Sequence, residues 1–82
     1  MENYHYVYTL ESLSNSDEIY TGQTQDLKQR LNQHNSGHVP HTSRFTPWRI
    51  RSATAFRSKE RALAFERYLK SGSGRAFLKR HL

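Results

Sequence analysis

Cysteine is absent from this chain of 82 residues. Its absence excludes disulfide bonds, thiolate metal sites and thiol nucleophiles. A domain of this length buries only a modest core, and one that lacks a disulfide fits a reducing compartment. We therefore expect a single domain over residues 1–82, in the cytoplasm.

Long apolar runs are also missing. No segment is apolar over the roughly 18 residues that a membrane-spanning helix needs, so the sequence predicts no contact with a membrane interior. The first five residues, Met-Glu-Asn-Tyr-His, lack the basic stretch and apolar run of a secretory signal. We found no internal repeat and no low-complexity tract.

Acidic residues are scarce in the second half of the chain. Residues 1–43 carry a net charge of −3 and residues 44–82 carry +9, which together make the total of +6. Such asymmetry favours a polyanionic partner, and the predominance of arginine favours phosphate. A merely solubilising surface and an acidic membrane or protein partner are the alternatives. The predicted nucleic-acid contacts are Arg44, Arg49, Arg51, Arg67, Lys70 and Arg75.

Hydrophobic periodicity and capping residues predict an α/β (α+β) fold, with a three-stranded antiparallel sheet flanked by helices in the order β-β-α-β-α-α. The strands are expected over residues 5–10, 18–22 and 48–56, with an irregular loop over residues 35–47. The first helix runs from a Thr24 cap to a stop at Gly37, and the second from a Ser58 cap to about Lys70. Residues 71–74 predict a break before a final helix over residues 75–82.

Two basic side chains share a face of the first helix. Arg30 and His34 are four residues apart, so they stack along the helix at the edge of its packed face. A solvated basic pair is the simpler interpretation, and a site for phosphate is the functional one.

Glu66 interrupts the apolar stripe of the second helix. A carboxylate at the rim of a buried face needs a partner. Arg67, Lys70 or a more distant cation could supply one. The alternative is a single Mg²⁺ or Mn²⁺ ion, which accepts one protein carboxylate together with waters and a substrate phosphate. Glu60 is the only other carboxylate after residue 43, so a two-metal site is disfavoured.

The hairpin is rich in tyrosine. Tyr8 and Tyr20 are expected to face each other across it, whereas Tyr4 and Tyr6 are expected to pack in the core. A tyrosine titrates near ~10, so it acts as a base at neutral pH only with positive neighbours or a second base. Arg30, His34 and a bound metal ion could provide both.

Taken together, these residues resemble the GIY-YIG nuclease superfamily, in particular its compact stand-alone bacterial members. Its namesake elements correspond to Tyr6-Val7-Tyr8 and Tyr20-Thr21-Gly22. The similarity covers nearly the whole chain and includes the spacing of Tyr20, Arg30 and His34, the Pro47-Trp48 pair, Phe65-Glu66 and Tyr68-Leu69-Lys70.

The resemblance implies a catalytic role for each residue. Tyr8 is the expected general base and His34 the relay for its proton; a tyrosine that acts directly as the nucleophile is the alternative. Tyr20 is expected to orient water or phosphate, and Arg30 to neutralise charge on the phosphoryl oxygens. Glu66 is the expected ligand of one Mg²⁺ or Mn²⁺ ion.

The sequence departs from the family pattern at three places. Tyr6 and Thr21 replace a glycine and an isoleucine of the namesake elements. The late asparagine of many members is missing, with Ser71 or Ser73 as candidate substitutes. Two further patterns are less specific. His38 and His41 have the spacing of a pair of metal ligands, and Gly72 and Gly74 with Arg75 resemble a phosphate-binding segment.

The predicted function is a metal-dependent DNA endonuclease without a small-molecule cofactor. A small basic surface favours single-stranded or branched DNA, with base stacking on Phe45, Trp48, Phe56 and Phe77. The alternatives are a nucleic-acid-binding module of the same fold with little or no cleavage, and a small basic RNA-associated protein.

Overall fold

The computed structural model describes residues 3–82; Met1 and Glu2, which belong to the predicted domain, lie outside the described residues. The strands are β1 (His5–Ser12), β2 (Ile19–Thr24) and β3 (Trp48–Phe56), and the helices are α1 (Leu27–Asn35), α2 (Lys59–Leu69) and α3 (Gly72–His81). A 3-10 turn, Ser43–Phe45, precedes β3. None of the described helices has the length and apolarity required to span a membrane.

The three strands form one antiparallel sheet in the order β2-β1-β3. β1 is therefore the central strand, and four consecutive residues of it, 7–10, are buried. Successive side chains of a strand point to opposite faces, so a run of this kind is buried only if both faces are covered. The predicted fold class and element order are confirmed.

Each face of the sheet has its own apolar cluster. Val7 packs with Ala62, Leu69 and Leu78 of α2 and α3. On the opposite face, the buried residues are Tyr8, Leu10 and Trp48, and partly buried residues of β2, α1 and the 3-10 turn pack against them. Tyr8, the predicted base, thus lies on the face that α1 covers.

The cap of α1 differs from the prediction. Asp26, not Thr24, is the N-cap, and its side chain accepts a hydrogen bond from the backbone N–H of Gln29 at 3.0 Å. The Thr24 hydroxyl instead accepts from the backbone N–H of Asp26 at 3.1 Å. Thr24 therefore orders the turn that leads into the helix, whereas the predicted Ser58 cap of α2 is confirmed.

The predicted break over residues 71–74 is present but shorter, because α2 ends at Leu69 and α3 already begins at Gly72. Ser71 is the N-cap of α3, and both glycines lie in its first turn. A Cβ added to Gly74 would lie 1.6 Å from the backbone oxygen of Tyr68. Gly74 is thus required because α3 approaches the end of α2 too closely for any side chain. Ser71, a candidate substitute for the late asparagine, is occupied as a cap and also donates to the Tyr68 carbonyl at 2.6 Å.

The loop between α1 and β3 is fixed by polar contacts to Trp48. The side chain of Asn35 accepts from the backbone N–H of Trp48 and donates to its carbonyl. The indole N–H of Trp48 donates to the carbonyl of Thr42 at 2.8 Å. Trp48 is 4% exposed, so the expected base stacking on this residue is wrong. These bonds bring Thr42 beneath the end of α1.

Candidate active site

The Tyr8 phenol is the centre of a buried polar cluster. Its ring is 2% exposed. The phenolic oxygen is 3.0 Å from Nε2 of His34 and accepts a hydrogen bond from Nε of Arg30 at 3.2 Å. Tyr8 of β1 is therefore in direct contact with both Arg30 and His34 of α1.

Gly22 makes room for this phenol. It pairs with Tyr8 across the hairpin, and a Cβ at Gly22 would lie 2.5 Å from the phenolic oxygen and 2.7 Å from Cζ. Real Cβ atoms do not approach other heavy atoms so closely. The glycine of the Tyr20-Thr21-Gly22 element is thus a steric requirement of Tyr8, which sequence reasoning did not identify.

We had expected Tyr20 to lie opposite Tyr8, but it lies diagonally to it. Its cross-strand partner is Leu10, and the ring centroids of the two tyrosines are 6.3 Å apart. The Tyr20 ring lies closer to the His34 ring, at 4.8 Å. This diagonal arrangement keeps the rings of Tyr8, Tyr20 and His34 on one face of the sheet.

His34 is more deeply buried than the helical pattern indicated. It has no exposed surface and lies in the last turn of α1. Its Nδ1 atom is 2.8 Å from the hydroxyl oxygen of Thr42. Burial, and secondarily the charge of Arg30, lowers the pKa of His34 below 6.5, so the imidazole is neutral at pH 7.

The pKa values of Tyr8 and Arg30 are shifted upward, in the opposite direction to that of His34. Burial raises the pKa of Tyr8 above 10.0, and this outweighs the hydrogen bond from Arg30, which lowers it. That same hydrogen bond is the main reason that the pKa of Arg30 is raised. At pH 7 the cluster therefore contains a protonated phenol, a neutral imidazole and a guanidinium cation.

Glu66 lies on α2 and is partly buried, with its side chain 20% exposed. It is close enough to Tyr8 for its negative charge to contribute to the raised pKa of the phenol. One carboxylate oxygen forms an ion pair with Lys70 at 3.0 Å. The expected pairing with Lys70 is thus present, and Glu66 also acts electrostatically on the site.

The donor set around Glu66 fits a cation that is held mainly by water and substrate. Within residues 3–82, no three His, Cys, Asp or Glu side chains are grouped so that they could hold a metal ion. The second carboxylate oxygen of Glu66 has no hydrogen-bond partner among these residues. A single carboxylate with one such oxygen suits Mg²⁺ or Mn²⁺, which retain several waters.

A cavity of about 450 Å³ opens beside Tyr20. Lys70, directly after α2, and Arg75 and Lys79 of α3 line it, and Asp17 and Glu18 line it from the hairpin loop. Two of the six predicted nucleic-acid contacts, Lys70 and Arg75, therefore lie next to a predicted catalytic residue. Lys79 was not among the predicted contacts.

The other four predicted contacts are placed differently. Arg67 is exposed on α2, and Arg44 lies over the ring of Phe45 at 5.8 Å. Arg49 and Arg51 lie on edge strand β3, and both form ion pairs with Glu11. These two arginines are therefore separated from β2 by the central strand.

Thr42 is the residue that sequence reasoning missed altogether. It is 1% exposed, and its hydroxyl contacts His34 and the carbonyl of Val39. It lies in a polar loop without periodicity, so the sequence offered no signal for it. Of the weaker sequence patterns, His38 contacts Ser36 at 2.9 Å, and the described residues supply no metal cluster around it.

Comparisons with known proteins agree with this arrangement. The GIY-YIG catalytic domain matches residues 4–80. A UPF0213 protein of Haloquadratum walsbyi is 36% identical over 72 residues, which cover 87% of this chain and 79% of that protein. One from Streptococcus agalactiae serotype V is 35% identical over 80 residues, which cover 93% and 89%. Another, from Halalkalibacterium halodurans, is 40% identical over 72 residues, which cover 87% and 74%.

No solved structure gave a significant match. The matched domain, together with the sheet and the buried cluster, defines the class of protein as a nuclease-type domain, a hydrolase whose substrate class is nucleic acid. The chain belongs to the GIY-YIG family, and the relatives with which it shares most of its length are UPF0213 proteins.

Proposed function

We propose that this protein is a divalent-metal-dependent endonuclease that hydrolyses phosphodiester bonds in single-stranded or branched DNA. The observation that supports it best is the contact of the Tyr8 phenol with both Arg30 and His34, with Glu66 close enough to act on the pKa of the phenol. A structural core has no need for a buried phenol that contacts both a buried imidazole and a guanidinium, whereas a proton-transfer site does.

The proton of Tyr8 has to leave before the phenol can act as a base. In the resting site this transfer is uphill, because the pKa of Tyr8 is raised and that of His34 is lowered, chiefly by burial. The guanidinium of Arg30 favours the phenolate through its hydrogen bond and charge. In the proposed mechanism, His34 Nε2 accepts the proton as the phenolate removes one from water.

The activated water attacks phosphorus, and the bond between phosphorus and the 3′ oxygen breaks. The 3′ oxygen takes up a proton from solvent water, so the products are a 3′ hydroxyl and a 5′ phosphate. Arg30 neutralises charge on the phosphoryl oxygens, and Tyr20, at the border of the cavity, orients the water or the phosphate. Glu66 would hold one Mg²⁺ or Mn²⁺ ion, which supplies polarisation of the phosphate and stabilisation of the leaving oxygen.

The cavity beside Tyr20 is a candidate site for a single strand. Its three cations, Lys70, Arg75 and Lys79, outnumber Asp17 and Glu18 and could contact the phosphates of one strand beside Tyr20. Tyr68, 41% exposed, is the most exposed aromatic residue among residues 3–82 and is a candidate for base stacking. Arg44, Arg49, Arg51 and Arg67 would add phosphate contacts outside the cavity.

The test uses end-labelled single-stranded, duplex, flap and RNA oligonucleotides with Mg²⁺, Mn²⁺ or EDTA. We expect cutting only with metal, and fastest on single-stranded or flap DNA. Glu66→Ala should abolish cutting while binding, measured by fluorescence anisotropy, survives. Glu60→Ala is the matched control, because Glu60 is an exposed glutamate in the first turn of the same helix.

Binding without cutting under every metal would refute the nuclease and favour a nucleic-acid-binding module of this fold. A strong preference for RNA would refute the assignment to DNA. Full cleavage by Glu66→Ala would refute the metal site while leaving the phenol-based chemistry in place.

A further inference from the structure

We propose that Thr42 is a positioning residue that holds His34 in the one neutral tautomer able to receive the proton of Tyr8. This inference deepens the proposed nuclease function and rests on it. It depends on the orientation of each hydrogen bond in a chain that runs from Arg30 to Val39 through the buried residues Tyr8, His34 and Thr42.

The first half of the chain is oriented by Arg30. A guanidinium can only donate, so the Tyr8 oxygen must accept from Arg30 Nε. The phenol then needs an acceptor for its own proton, and among the described residues the one within hydrogen-bond distance is His34 Nε2, at 3.0 Å. Nε2 of the neutral imidazole is therefore bare, and the ring proton lies on Nδ1.

The second half of the chain agrees with this tautomer. The hydroxyl of Thr42 is 3.2 Å from the carbonyl oxygen of Val39, which can only accept. When the hydroxyl donates to this carbonyl, its oxygen accepts from His34 Nδ1, at 2.8 Å, as a proton on Nδ1 requires. Every proton in the chain then has an acceptor.

The opposite tautomer leaves the chain unsatisfied. With the proton on Nε2, the Tyr8 oxygen would accept from both Arg30 and His34, and its own proton would have no acceptor among residues 3–82. Such a buried donor is costly to leave unpaired. It would also place a proton on His34 Nε2, the nitrogen that receives the phenolic proton in the proposed mechanism. Thr42 thus opposes a non-productive state of His34 without touching substrate.

Two features hold Thr42 in place for this task. Its backbone N–H donates to the Val39 carbonyl at 3.1 Å, and its own carbonyl accepts from the Trp48 indole at 2.8 Å. The side chain can therefore be changed while the backbone bonds persist. Thr42→Val removes the acceptor of His34 Nδ1 together with the hydroxyl's hydrogen bond to the Val39 carbonyl, and Thr42→Ser retains both.

The experiment measures the tautomer directly by ¹⁵N NMR of histidine rings in the full chain, with the His34 signals assigned from the His34→Gln spectrum. We expect Nδ1 protonated in the wild type and in Thr42→Ser, and a substantial Nε2-protonated population in Thr42→Val. Thr46→Val is the matched control, since Thr46 is in the same loop and its hydroxyl has no hydrogen bond within the described residues.

Cleavage gives the second readout. Thr42→Val should lower kcat by at least about tenfold, a part of the 10²–10⁴ that a general base contributes, with KM changed by less than about twofold. Thr42→Ser should restore both kcat and the tautomer. A merely structural role would lower the folded fraction and leave the kcat per folded molecule unchanged.

Nε2 protonation of His34 in the wild type would overturn the proposal, and so would a Thr42→Val variant with an unchanged tautomer and kcat. The NMR readout needs no turnover. A wild-type chain that cuts no substrate would overturn the nuclease function, while the spectra would still support or overturn the role of Thr42. If Thr42→Val does not fold, the comparison of wild type and Thr42→Ser by NMR still decides the tautomer.

Discussion

Replacement of Gly22 by alanine should disable the site with a single methyl group. The added Cβ would lie 2.5 Å from the phenolic oxygen of Tyr8, 2.7 Å from its Cζ and 3.0 Å from Cε2 of Tyr20. Comfortable contacts between heavy atoms lie at about 3.5–4.0 Å, so the phenol must move by roughly 1 Å. It cannot move freely, because its ring is buried and hydrogen-bonded to His34 and Arg30.

The expected cost follows from this displacement. Overpacking a buried position costs about 1–3 kcal/mol, and weakening two hydrogen bonds adds about 0.5–1.5 kcal/mol each at most. Alanine recovers about 0.4–1 kcal/mol by restricting the unfolded chain. We expect the free energy of unfolding to fall by about 1–5 kcal/mol. Cleavage per folded molecule should fall by about 10²-fold, as is typical of a 1 Å misplacement.

Urea denaturation and a metal-dependent cleavage assay measure the two effects separately. Gly72→Ala is the matched control, because a Cβ at Gly72 meets nothing within 4 Å and alanine favours the helix. It should be neutral or slightly stabilising and should cleave at the wild-type rate. A Gly22→Ala variant with wild-type stability and rate would show that the phenol does not require this space.

Three further predictions concern protonation and packing. Burial and, secondarily, Arg30 lower the pKa of His34 in the folded protein. The stability that this neutral imidazole contributes is therefore complete above pH 6.5 and is lost as the pH falls through the folded pKa. The free energy of unfolding from urea titrations should accordingly fall more steeply between pH 6.5 and about 5 in the wild type than in His34→Gln. Arg30→Gln should raise the pKa of Tyr8 further, because a hydrogen bond and a charge that favour the phenolate are lost; ultraviolet titration against Tyr8→Phe measures this. Gly74→Ala should lower the thermal midpoint by several degrees without changing the cleavage rate per folded molecule, since its Cβ would overlap the Tyr68 carbonyl at the junction of α2 and α3.

The sequence was sufficient for the fold because its signals are local. Alternation predicted Trp48–Phe56 at the bounds that the structure has, and Ser58 was identified as a cap from its position before an apolar stripe. The prediction failed at residues 72–74, where glycine usually marks a break but the chain is already helical. There, the close approach of α3 to Tyr68 decides the residue, and no local pattern encodes such a contact.

The candidate site was predictable only in part for the same reason. Tyr8, Arg30 and His34 could be selected by residue type and spacing, and the structure brings these three into contact. Their depth could not be predicted, because the burial of His34 depends on a loop that Asn35 and Trp48 fix over the end of α1. Depth is what sets the protonation states, so the sequence indicated the groups without indicating their resting charges.

Two charged side chains act in opposite directions on the phenol of Tyr8. Burial dominates its raised pKa, Arg30 lowers that pKa, and the negative charge of Glu66 raises it again. Lys70 neutralises only part of the Glu66 charge, because that ion pair is half exposed to solvent on the lysine side. Any further positive charge at Glu66 would therefore act in the same direction as Arg30 and favour the phenolate. Glu66 thus disfavours the phenolate of Tyr8 in the resting site, and a cation bound to Glu66 would favour it.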